Sequence, residues 1–196
     1  MLARCWIEIA AGRVRAIRQQ IHWHEKPLYR FAPRPDVMND AAWRRGLAEV
    51  AKRGLAFELQ VFTSQMADAA TLARDFPDTT FVLMHAGMLE DRSPAGWAAW
   101  RAGMKQLAAH KNVVTKISGL GTFARACSVT LWRPVIEETL AIFGSERCLF
   151  GSNFPIEKLW TSYADLVTAH RAAIASLPAP DQQAILSGTA TRVYRL

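Results

Sequence analysis

Apolar and polar positions along the chain follow two periods in turn. Short β-branched or aromatic runs, Val14 to Ile21, Leu55 to Phe62, Thr80 to His85, Val113 to Ser118 and Cys148 to Gly151, read as strands, each ended by polar or small residues. Between them apolar residues recur at helical spacing. Asn39 or Asp40 caps a helix with Trp43, Leu47 and Val50 on its apolar face, closing at Gly54. Ser93-Pro94 opens another with Trp97, Trp100, Met104 and Leu107, Pro134 starts a third with Ile136, Leu140 and Phe143, and Ser162 a fourth with Leu166, His170 and Ile174. A weaker helix follows Asp68, and a last one covers Gln182 to Tyr194. Strands alternating with helices predict βα units and a parallel sheet. No linker divides residues 1–196, so one domain is expected. An eight-stranded barrel takes ~250 residues, so five strands mean either an open sheet or part of a barrel.

Strand parity sorts the side chains further, because alternate residues share a face. Arg18, Gln20, His22 and His24 fall on one parity, and Ile17, Ile21 and Trp23 on the other; Glu58 and Gln60 are set apart from Phe57, Leu59 and Val61. His85 ends the third strand, Lys116 interrupts the fourth, and Asn153 follows the fifth. Each strand thus delivers a polar side chain near its carboxyl end, where ligands bind in parallel α/β folds. An amide, an imidazole and an ammonium held close together must be paired or solvated, which predicts a polar cavity around Arg18, Gln60, His85, Lys116 and Asn153.

Composition narrows the class. Of 196 residues, 51% are hydrophobic and 21% charged, enough for a sizeable core and against disorder. No uninterrupted apolar run is long enough to span a membrane. Met1 to Ala11 carries Arg4 and Glu8 with no charged leader, a poor signal peptide, so a cytoplasmic location is expected. Cys5, Cys127 and Cys148 are odd in number and widely spaced; they read as small buried thiols rather than a disulfide framework or zinc finger. The net charge of +7 comes from basic residues spread through every segment, the densest group being Arg13, Arg15 and Arg18. Nucleic-acid surfaces concentrate their charge, so no nucleic-acid partner is expected, whereas an anionic small substrate is compatible.

His22-Trp23-His24 places two imidazoles on one strand face, a spacing that suits a divalent metal or a substrate-pocket pair. Gly151-Ser152-Asn153 does not fit a nucleophile elbow, and no Walker loop or dinucleotide fingerprint occurs.

Several segments resemble the amidohydrolase-related family of TIM-barrel hydrolases, in its lactonase-like branch with sugar-lactone and pyrone-dicarboxylate hydrolases. They are Val14-Arg15-Ala16-Ile17-Arg18-Gln19-Gln20, Leu55 to Phe62, Phe81-Val82-Leu83-Met84-His85-Ala86-Gly87, Thr115-Lys116-Ile117-Ser118-Gly119-Leu120 and Cys148-Leu149-Phe150-Gly151-Ser152-Asn153-Phe154-Pro155, with Ile185 to Leu196 similar to the closing helix. The family opens with an earlier His-x-His strand, for which His22-Trp23-His24 is no substitute. The chain is therefore expected to be an incomplete (β/α) barrel lacking its N-terminal strands.

The resemblance implies a hydrolase that opens a lactone or related cyclic ester by water attack. In that reading His85 polarises the carbonyl or ligates a metal and Asn153 orients water or substrate. Arg18 and Lys116 hold substrate anions, while Gln60, His22 and His24 line the pocket. The family often has Asp at the place of Asn153, and an amide cannot act as general base. One divalent metal, zinc or manganese, and a metal-independent mechanism both stay open. The expected ligand is an anionic or sugar-derived lactone, with a homo-oligomer compatible; the alternative is a catalytically silent barrel remnant binding a small anion or partner subunit.

Overall fold

The computed structural model describes residues 12–196. Cys5 and the leader reading of Met1 to Ala11 lie outside the described residues. Five strands form one parallel sheet in sequence order: β1 (Ala16–Gln19), β2 (Ala56–Leu59), β3 (Phe81–Leu83), β4 (Val113–Ile117) and β5 (Cys148–Phe150). Register places Arg18 beside Glu58, Glu58 beside Val82 and Lys116 beside Leu149. Each strand is shorter than the run that predicted it, its outer residues lying outside the ladder; at the end of β3, Met84 and His85 enter a tight turn.

The crossovers carry α1 (Ala41–Lys52), α2 (Met66–Asp75), α3 (Pro94–Ala108), α4 (Val129–Phe143) and α5 (Tyr163–Ile174). Asp40, Ser93 and Ser162 cap α1, α3 and α5 by accepting from backbone N–H groups inside the first turn, as their positions predicted. Three helix boundaries differ from expectation, the first being α2, which begins at Met66 and so contains Asp68 rather than following it. Pro134 lies inside α4, whose cap is Ser128, accepting from Leu131 N. Pro134 removes one intrahelical donor, but α4 buries Trp132, Val135, Ile136 and Phe143, and that packing outweighs the lost bond. The C-terminal helix is three pieces, α6 (Ala179–Gln183), a π turn (Ala184–Gly188) and α7 (Thr189–Tyr194).

The two faces of the sheet have different partners. Phe57, Leu59, Phe81, Leu83, Val113, Ile117 and Cys148 point outward into a core shared with Leu72, Trp100, Met104, Trp132 and Ile136 of the helices. The opposite face carries a smaller apolar cluster, Ala56, Val82, Met84, Val114 and Leu149, packed against Ala190, Val193 and Tyr194 of α7. Arg195 donates to Gly54 O, and Arg192 pairs with Glu146, so α7 crosses the amino ends of β2 and β5. The carboxyl ends stay clear for the site. Among the described residues no helix is long and apolar enough to cross a membrane.

Candidate functional site

A cavity of about 330 Å³ opens at the carboxyl ends of the strands. Its polar lining includes Arg18, Gln20, His22, Gln60, His85, Thr122 and Asn153. Five of the seven residues nominated from sequence therefore share one hollow. Lys116 and His24 do not line it.

His85 leaves β3 through a tight turn in which His85, Ala86, Gly87 and Met88 all have positive φ, from 47° to 70°. Non-glycine residues adopt this region only when their surroundings hold them there. Here the Trp100 indole N–H donates to Ala86 O at 2.8 Å, and buried Ser118 bonds His85 Nδ1 at 2.8 Å. That engagement leaves Nε2 for a ligand. Gly119, at φ +63°, lies against the same ring: a Cβ there would stand 2.8 Å from His85 Nδ1 and 3.3 Å from Asn153 Nδ2. Burial, followed by the charges of Arg18 and Lys116, pushes the His85 imidazole down to about 4, so it is neutral at pH 7.

His22 packs between Phe31 and Phe62, with ring centroids 4.6 and 5.9 Å away, and its Nδ1 is buried without a hydrogen bond. Burial lowers it as well, to about 4. His24 has another fate. β1 ends at Gln19, so strand alternation no longer governs residues 22 to 24. His24 Nε2 lies 2.9 Å from Glu90 Oε1, and its Nδ1 accepts from Lys26 N, beside a separate cavity of about 310 Å³. The two imidazoles therefore do not converge.

Arg18 and Lys116 also depart from expectation. Both are paired with Glu58: Arg18 Nε and Nη2 reach Oε2 at 2.8 and 2.6 Å, Lys116 Nζ reaches Oε1 at 2.8 Å, and the Tyr194 hydroxyl donates to Oε1 at 2.6 Å. Burial opposes ionisation of Glu58, but the bonds from Lys116, Tyr194 and Arg18 outweigh it and hold the carboxyl down to about 2. Burial and the Glu58 carboxylate together raise the Tyr194 phenol. These cations neutralise a protein carboxylate, a role that parity could not reveal.

Asn153 sits at φ 55°, just before a cis Phe154-Pro155 bond. Its Nδ2 donates to Glu157 Oε1 at 3.2 Å, so Oδ1 faces away from that carboxylate. Glu157 is fully buried and accepts further bonds from Thr122 Oγ1 at 3.1 Å and Trp160 Nε1 at 2.5 Å. Sequence reasoning missed Glu157; the one local signal was Trp160 three residues on, able to reach back over a turn. It also passed over the aromatic wall of the cavity, Tyr29, Phe31, Phe62 and Phe123.

A metal needs several converging donors. His22 and His85 are the metal-capable side chains of the cavity lining, and among the described residues no group of three His, Cys, Asp or Glu could hold an ion. The described donor set therefore does not fit a resident metal.

Comparisons with known proteins identify the family. The family model for amidohydrolases matches residues 4–196. The protein y4mH of Sinorhizobium fredii is 37% identical over 182 residues, 93% of this chain and 61% of that one. An L-fucono-1,5-lactonase of Burkholderia multivorans is 33% identical over 170 residues, 81% of this chain and 57% of that protein. The chain thus spans about three fifths of these relatives' length. The crystal structure of a Burkholderia multivorans amidohydrolase with bound zinc superposes at a TM-score of 0.85 with 27% identity, covering 100% of this chain and 69% of that one. Five parallel strands with outer helices are the corresponding part of a TIM-type barrel, and the chain belongs to the amidohydrolase family.

Proposed function

We propose that the cavity hydrolyses a lactone or related cyclic carboxylic ester. The observation that carries this reading is the gathering of His85, Asn153 and Gln60 in one hollow at the strand ends. Family membership and the lactonase name of a relative support it. The oxygen of a water molecule attacks the carbonyl carbon, giving a tetrahedral oxyanion. Collapse breaks the bond from that carbon to the ring oxygen, and the water proton ends on the ring oxygen, releasing a hydroxy acid.

His85 is neutral at pH 7, so Nε2 can accept the water proton and return it to the departing oxygen. Asn153 cannot take a proton; its Oδ1 accepts a hydrogen bond from the water and orients it. The Gln60 amide supplies a donor for the carbonyl oxygen. With Arg18 and Lys116 engaged by Glu58, binding of an anionic substrate group draws less support than the sequence suggested.

Wild-type protein and His85→Ala assayed on a lactone panel test the reading. Hydrolysis that falls at least ~100-fold in the variant supports it, following the usual size of acid–base catalysis. Absence of turnover with every lactone overturns it in favour of a binding role.

A further inference from the structure

The wall of the cavity is as distinctive as its floor. Tyr29 stacks on Phe62 at 6.1 Å and meets Phe123 edge-on at 5.2 Å, while Phe62 and Phe123 stand 6.0 Å apart. Leu28, Phe31 and Ile156 line the same cavity at its mouth, and all three are among the large apolar side chains left exposed. Apolar exposure gathered at the mouth of a hollow marks a surface that a ligand covers. The charge of the lining tells the same story. Among the described residues no carboxylate lines the cavity, and the one formal cation among them, Arg18, is bonded to Glu58 through Nε and Nη2. The imidazoles of His22 and His85 are held neutral by burial.

We propose that this cavity takes a neutral cyclic ester bearing a flat, apolar substituent, an aryl or alkenyl lactone, in preference to a polyhydroxylated sugar lactone. The inference rests on the lactone-hydrolase reading and names its substrate class. A carbonyl placed at His85, Gln60 and Asn153 leaves the rest of the ligand against Tyr29, Phe62 and Phe123. Aromatic faces reward a flat apolar body at such distances. Sugar hydroxyls in the same place meet ring carbons, lose their water partners and gain none. The ring faces of Phe62 and Phe123 offer hydroxyls no hydrogen-bond partner, and a wall of that kind discriminates against them by about tenfold or more.

The test compares lactones with the same five-membered ring: γ-phenyl-γ-butyrolactone, γ-valerolactone and an aldono-γ-lactone. The expected result is a kcat/KM for the phenyl lactone at least ~10-fold above that for the aldonolactone. Phe123→Ala then raises KM for the phenyl lactone roughly fivefold or more and changes that for γ-valerolactone less than about twofold, because only the former reaches the ring. An aldonolactone hydrolysed as well as the phenyl compound overturns this inference and leaves the hydrolase reading standing. If no lactone turns over, that reading fails, and NMR titration of the wild-type protein decides the inference separately. Saturable shifts at Phe62 and Phe123 with the phenyl lactone and none with the aldonolactone support it; equal binding of both, or none by the phenyl lactone, overturns it.

Discussion

The side-chain amide of Asn153 stands 3.2 Å from the carboxylate of Glu157, a fully buried group for which no ion pair is found among the described residues. An amide donates to that carboxylate, whereas an aspartate would oppose it with a second negative charge. Asn153→Asp is expected to raise the folded-state pKa of one of the two acids. A raised carboxyl pKa leaves the protonated pair tolerated at low pH and withdraws stability as pH rises through the shifted value. The variant's deficit against wild type is therefore larger at pH 8, by about 1–3 kcal/mol, than at pH 5. Thermal unfolding at both pH values checks this, and an equal deficit at both would show that the two side chains do not face each other.

Glu58 serves two cations and a phenol, so its loss matters more than the loss of either cation. Lys116 is only 16% exposed, and Glu58→Gln leaves it with little water in exchange; a cost of about 2–4 kcal/mol is expected. Arg18 is 40% exposed, and Arg18→Gln is expected to cost about 0–1 kcal/mol. Denaturant midpoints of the two variants measured side by side give the comparison, and similar losses would contradict it.

Gly119 is tied to the placement of His85. Gly119→Ala puts a methyl group 2.8 Å from His85 Nδ1 in a left-handed backbone and displaces the imidazole from Ser118. A fall in turnover of ~100-fold is expected from such a misplacement. Gly144→Ala makes a useful control, since φ is +77° there but nothing lies within 4 Å. It carries the backbone strain alone, about 1–3 kcal/mol, with turnover unchanged. Steady-state rates and melting temperatures of both variants separate strain from misplacement.

Acid sensitivity follows from buried imidazoles. Burial holds His22, His85 and His170 down to about 4 against an ordinary value of 6.5. Between those values the unfolded chain takes up protons that the folded chain does not, so stability falls as pH drops from 6.5 towards 4. Each histidine contributes up to about 1.4 kcal/mol per pH unit. Glu58 extends the decline: its stabilisation is whole above 4.5 and is lost as pH falls towards 2. His170 packs against Trp132 and Phe150, away from the cavity lining, so His170→Leu should flatten the pH 6.5–4 slope by one proton. An unchanged slope would remove His170 from the account.

The one-dimensional pattern determined what depends on near neighbours. Period-two runs located β1 to β5, and the hydroxyl or carboxylate before an apolar stripe located the starts of α1, α3 and α5, because a cap bonds a backbone group only a few residues away. Position at or just past a strand's carboxyl end brought Arg18, Gln60, His85 and Asn153 to one end of the sheet, because neighbouring parallel strands finish on the same edge. Parity failed at His24, where β1 had already ended, and Pro134 misplaced a helix start because interior packing overrode a local signal. Partners remote along the chain were decided by the tertiary structure alone. Glu58 finds Arg18 across 40 residues, Lys116 across 58 and Tyr194 across 136, and Glu157 becomes a buried acid when Thr122 closes over it from 35 residues away. A charge in sequence is a cation or an anion; whether it meets substrate or another side chain depends on which strands and helices lie beside it, and that is set by the packing of the whole sheet.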